Sequence, residues 1–216
     1  MRVPDGKGLL RGILRWAQRA LFAAAIVLLG YCGFVLGDAW LFQRRESRVL
    51  DQWLESSHNP GAGPQFLLAT ATPGPPAFRA SGLIGRIEIP RLQLSAIVIE
   101  GDGSKTLRRA VGHISGSPLP GQIGNVALTG HRDTFFRPLR NIRRDDTILV
   151  TTLQGEFRYR VVSTRVVSPQ DVAVLDSTHD ERLTLITCYP FYFVGSAPNR
   201  FIVRAERVGK DHERNF

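Results

Sequence analysis

Thr184-Leu185-Ile186-Thr187-Cys188-Tyr189-Pro190 reads as a strand that a proline stops, because β-branched and apolar residues dominate it and Pro190 has no N–H to give to a ladder. The same grammar recurs on both sides. Leu183 to Thr187 and Phe201 to Val208 form the last two apolar runs, and Ile84 to Ile89 alternates until Pro90 ends it, with Leu92 to Ile99 following. Asn125 to Gly130 is a brief apolar run, and Thr147 to Thr152 and Phe157 to Thr164 flank Gln154-Gly155, the best hairpin signal in the chain. Helical signals are short, near Thr106 to Ala110, Phe135 to Asn141 and Pro169 to Leu175. Many short strands at this spacing predict an all-β fold closed, or nearly closed, into a barrel.

The N-terminal part obeys different rules. No charged residue occurs from Ala20 to Gly37, and apolar character resumes at Ala39-Trp40-Leu41-Phe42. A helix over residues 20–42 would be roughly 34 Å long, enough to cross a hydrocarbon core of about 30 Å. Lys7, Arg11, Arg15 and Arg19 recur ahead of it, opposite Leu10, Ile13, Leu14 and Ala17, so residues 1–19 read as a basic amphipathic segment on the inner leaflet. Five Lys or Arg precede the span and three follow closely, which favours a cytoplasmic N-terminus. The apolar stretch exceeds a signal-peptide core and ends in Asp38-Ala39-Trp40, so it reads as an uncleaved anchor in the lipid bilayer. Residues 43–80 are expected to give a short juxtamembrane helix and then a Pro/Gly-rich linker, a semi-extended spacer between bilayer and folded domain. Residues 81–208 form that domain, and 209–216 a polar tail.

A net charge of +9 raises nucleic acid as a partner. The excess is spread, however, with nine Lys or Arg against five Asp or Glu in residues 1–80 and seventeen against twelve in 81–208. With no dense basic run, no nucleic-acid ligand is expected. No acidic cluster is dense enough to assign calcium, and no metal or other cofactor is expected.

The chemistry centres on Cys188. Cys32, the other of two cysteines, lies inside the anchor. An unpaired thiol in an oxidising compartment calls for a reason, and nucleophilic catalysis is one; a small buried hydrophobe is the plainer one. Attack on an amide carbonyl also needs a proton carrier and a group that opposes oxyanion charge. His131, in Thr129-Gly130-His131-Arg132-Asp133, and Arg200, in Asn199-Arg200-Phe201, are of the right types. His113 is a rival histidine that spacing alone does not separate from His131.

Three stretches together carry a family likeness: Gly85-Arg86-Ile87-Glu88-Ile89-Pro90, Gly124-Asn125-Val126-Ala127-Leu128-Thr129-Gly130-His131-Arg132, and Thr184-Leu185-Ile186-Thr187-Cys188, followed by Arg200 on the next strand. From about Leu83 to Val208 the chain resembles the sortases, membrane-anchored cysteine transpeptidases of bacterial envelopes, and Cys188-Tyr189-Pro190-Phe191 looks most like class D. The resemblance implies an eight-stranded β-barrel and ranks His131 above His113. It further implies that Cys188 attacks a carbonyl in the C-terminal sorting signal of a secreted protein, often Leu-Pro-x-Thr-Gly-like, forming a thioacyl-enzyme that an amine acceptor in the cell envelope resolves. His131 would then carry the proton and Arg200 hold the substrate and oppose oxyanion charge. Thr187 would help position that oxygen, and Asp133 would orient a partner. Residues 166–181 would shape peptide selection, and Phe135, Phe136, Phe191, Tyr192 and Phe193 are candidates to line the groove.

Other readings compete. A thiol peptidase of the same fold would pass the acyl group to water. A non-catalytic, membrane-tethered module that binds wall peptides would need Cys188 only for packing. The Ser-His-Gly-Cys pattern of L,D-transpeptidases is missing around Cys188.

Overall fold

The computed structural model describes residues 6–58, 82–192 and 195–209. By its internal contacts the chain divides into residues Met1–Leu41 and Phe42–Phe216. The described residues of the first unit belong to a long helix, α1 (Gly6–His58). Leu21, Phe22, Ile26, Val27, Leu28 and Leu29 are all exposed. Such a surface is not that of a core helix, and the helix has the length and composition to cross a membrane. The basic segment from Gly6 onward is continuous with this apolar stretch rather than a separate element.

The second unit is a closed barrel of eight strands in the order β1-β2-β3-β4-β7-β8-β6-β5. The strands are β1 (Leu83–Ile89), β2 (Leu94–Glu100), β3 (Val111–His113), β4 (Gly124–Thr129), β5 (Thr147–Thr152), β6 (Gly155–Val167), β7 (Glu181–Tyr189) and β8 (Asn199–Arg207). A short helix, α2 (Ser104–Arg109), and 3-10 turns at Pro90–Leu92, Arg137–Asn141 and Val172–Leu175 fill the connections. The β2–β3 and β4–β7 pairs are parallel and the others antiparallel. Period-two alternation builds the core: Ile87, Val98, Val126, Leu128, Val150, Leu183, Leu185 and Val203 point into one buried cluster.

Two strands differ from expectation. β3 spans three residues, too few for a periodic signal, and is held in place by pairing with β2 and β4. β6 runs from Gly155 to Val167, longer than its apolar alternation, because β8 supplies partners for Thr164 to Val167. The β5–β6 hairpin pairs Thr152 with Gly155, so its turn residues are Leu153 and Gln154.

The juxtamembrane residues are helical, as the end of α1. Residues 42–58 of α1 pack on the barrel: Leu50 is fully buried with Leu83, Ile97, Ile99 and Ala110, and Phe42, Val49 and Leu54 flank it. Gln43 answers two backbone groups, donating from Nε2 to Arg109 O (2.7 Å) and accepting at Oε1 from Ile97 N (2.8 Å). Asp51 pairs with Arg86 at 2.5 Å. Most of the expected Pro/Gly-rich linker lies outside the described residues. Most of the expected polar tail also lies outside the described residues.

Candidate active site

Strand parity puts Cys188 and Arg200 on one face. Leu183 and Leu185 point inward on β7, as do Val126 and Leu128 on β4 and Val203 and Ala205 on β8. The residues between them face outward, so Ile186 and Cys188, Ala127 and Thr129, and Arg200 and Ile202 share the outer surface. Cys188 is cross-strand partner to Arg200. Directly opposed residues hold their Cβ atoms about 4.5–5.5 Å apart. The Cys188 thiol is free and half-buried.

His131 arrives from the other side of β7. β4 pairs Thr129 with Ile186 in parallel, and Gly130 N extends the ladder by donating to Ile186 O at 3.1 Å. The next residue, half-buried His131, thus leaves β4 at the level where β7 reaches Cys188. Its carbonyl accepts from Phe136 N at 3.1 Å, closing a tight turn. Gly130 has a packing reason to be glycine: a Cβ there would sit 2.9 Å from the Phe136 ring, which is fully buried beneath it. Arg200 is also half-buried, its Nη1 donating to Ala197 O (3.3 Å) and Asn199 O (3.1 Å).

Thr187 points into the barrel. It is 2% exposed, and its Oγ1 donates to Gly130 O at 2.7 Å. Its donor is committed inside the barrel, on the face opposite Cys188. It ties the end of β7 to the end of β4, directly before His131. Asp133 is exposed and lies 3.6 Å from Nε of Arg132, which turns it toward that guanidinium. The rival His113 is buried: Nδ1 is 2.8 Å from Glu100 Oε2 and Nε2 is 2.9 Å from Ser117 Oγ and 3.1 Å from Pro118 O. Those contacts occupy both ring nitrogens structurally. Among the described residues no group of His, Cys, Asp or Glu is placed to hold a metal ion.

The outward face of β4 and β7 continues from Cys188 to a connection that folds over it. Buried Asn125 donates from Nδ2 to Val174 O (3.0 Å) and Asp176 O (3.3 Å), and accepts from Thr184 Oγ1 (2.7 Å). Two polar side chains on adjacent strands thereby pin the β6–β7 connection, leaving Val172 exposed. Of the aromatic groove candidates, Phe136 belongs to the core and Phe191 packs at 5.3 Å from Phe201 and 6.0 Å from Tyr189. Tyr192 is exposed, its hydroxyl accepting from Arg140 Nη1 at 2.6 Å, and Phe193 is outside the described residues. Sequence reasoning missed Arg132, whose one visible signal was its place directly after His131.

Comparison with known proteins supplies independent findings. Residues 87–208 match the family model described as the Sortase domain. The chain is 33% identical over 199 residues to Sortase D of Bacillus subtilis (strain 168), covering 87% of this chain and 96% of that protein. It is 30% identical over 115 residues to Sortase A of Listeria monocytogenes, covering 51% of each. Among solved structures, a Clostridium perfringens Sortase D5 transpeptidase aligns with TM-score 0.54 and 29% identity over 59% of this chain and 79% of that one. Clostridium perfringens sortase C, solved with the C-terminal cell wall sorting motif, aligns with TM-score 0.55 and 26% identity over 60% and 72%.

Proposed function

The chain belongs to the sortase family, membrane-anchored transpeptidases acting on sorting signals, and we propose that Cys188, His131 and Arg200 carry its chemistry. The observation behind this is the shared outer face on which β7 and β8 oppose Cys188 to Arg200 while β4 delivers His131 from the other side.

In this reading the Cys188 thiolate attacks the scissile carbonyl of a C-terminal sorting signal laid along the outer face of β4 and β7. The carbonyl π electrons move onto oxygen, and Arg200, which keeps its proton, donates to the oxyanion. His131 gives a proton to the departing amine as the C–N bond breaks, leaving a thioester on Cys188. An envelope amine then enters, loses a proton to His131, and displaces the sulfur. Water is a poorer competitor wherever the amine is held in place. The pinned β6–β7 connection, with Val172 exposed, supplies one wall for the peptide. Asp133 contributes through Arg132 rather than through contact with substrate. The anchor holds the barrel at the membrane, with the N-terminus cytoplasmic and the barrel outside, as the charge flanking the span indicates.

The test is intact mass of the full chain in detergent mixed with sorting-signal peptides. An adduct on Cys188 that hydroxylamine removes is expected, absent in Cys188→Ala, and added amine should convert it to an amide product. Hydrolysed product unaffected by amine would favour the peptidase reading. Transfer retained by Cys188→Ala would defeat both.

A further inference from the structure

Arg132 is 7% exposed and follows His131 directly. Its Nη1 donates to Pro190 O at 3.0 Å and its Nη2 to Gly195 O at 3.1 Å. Those carbonyls belong to the connection between β7 and β8, which begins two residues after Cys188 and ends two residues before Arg200. One guanidinium thus links the residue after the histidine to the segment that joins the other two groups.

Burial makes this link rigid. A charge removed from water is tolerated only while hydrogen bonds replace its hydration, and losing an acceptor leaves a buried N–H without one of its bonds. Movement of the connection away from the end of β4 would break two charge-assisted bonds together. Among the described residues of this connection, Phe191 packs by ring contacts, Tyr192 meets Arg140 at the surface and Ala197 O accepts from Arg200. The two carbonyls are also reached by separate nitrogens of a planar fork, a geometry that a lysine ammonium does not reproduce.

We propose that Arg132 is a positioning residue: its fork on the Pro190 and Gly195 carbonyls fixes the β7–β8 connection against the end of β4, and so sets Cys188 and Arg200 relative to His131. This rests on the assignment of those three residues above.

The test compares Arg132→Lys and Arg132→Gln with the unmodified full chain in detergent, following kcat and KM for peptide transfer and the pH profile of Cys188 alkylation by iodoacetamide. Both variants are expected to lose about 10- to 100-fold in kcat with KM within about threefold, the scale of a small misplacement of reacting groups. The alkylation profile should also shift in Arg132→Lys, which keeps the charge but loses the fork. Wild-type kcat and profile in Arg132→Lys would overturn the proposal, and this variant decides the matter if Arg132→Gln does not fold. Cys188→Ala separates the two levels. Transfer surviving in it removes the assignment beneath the proposal, whereas an inactive Cys188→Ala beside a fully active Arg132→Lys removes only the role of Arg132.

Discussion

Cys188 and Arg200 face each other across the β7–β8 ladder, twelve residues apart along the chain yet paired in register. The guanidinium is therefore placed by sheet geometry, while its hydrogen bonds to Ala197 O and Asn199 O hold it only to neighbouring loop carbonyls. A substrate oxygen has to compete only with those neutral acceptors.

Arg200→Lys is therefore expected to keep the fold and the charge but lose the planar donor geometry, lowering kcat for transfer by about 10²- to 10³-fold, the cost of removing an oxyanion donor. Thermal unfolding should change little, because the side chain is half-buried and its partners are local. Steady-state transfer kinetics beside a melting curve check both halves; unchanged kcat would exclude Arg200 from the oxyanion.

His113 and His131 should separate by what they break. His113→Ala removes the ring nitrogens that meet Glu100 Oε2 and Ser117 Oγ and empties a buried site, and is expected to cost about 1–3 kcal/mol of stability, with kcat of the folded protein within about twofold. His131→Ala should leave the melting midpoint nearly intact and lower transfer by at least about 10²-fold. Denaturant unfolding and transfer rates on the two variants decide it.

The barrel was legible because alternation and stop residues mark strands locally. Its partner choices were not: nothing near His113 in the sequence announces Glu100, thirteen residues earlier and brought alongside by parallel pairing of β2 with β3. The inward placement of Thr187 was readable from sequence, since adjacent strand residues face opposite sides and the outward position of Cys188 turns Thr187 inward. The packing of residues 42–58 was half-visible in Val49, Leu50 and Leu54, but which surface they cover depends on a β2 edge that short β3 leaves open for Gln43.

That packing makes its own prediction. Leu50 is fully enclosed between helix and barrel, so Leu50→Ala should destabilise the second unit by about 2.7–5 kcal/mol, the range for buried leucine truncations. Chemical unfolding of the full chain measures the loss. An effect below about 1 kcal/mol would mean that residues 42–58 are not bound to the barrel in solution.

Acid should loosen the turn region that follows His131. Asp146 is buried and accepts from Arg91 Nε (2.5 Å) and Nη2 (2.6 Å) and from Arg143 N (2.7 Å). These bonds, the Arg91 pair foremost, hold its carboxyl below the usual carboxylate range against the opposing effect of burial. Arg91 also donates to Asn141 O at 2.7 Å, so the cluster braces the 3-10 turn at Arg137–Asn141. Because the folded state binds the proton less tightly than the unfolded chain, the contribution is fully present above the unfolded value near 3.8. It is lost as pH falls through the lower folded value. Asp146→Asn should therefore melt a few degrees below the unmodified chain at pH 7, with the gap closing as pH drops from about 4 toward 2. A gap that stays constant across that range would show that the carboxylate charge contributes nothing to this brace.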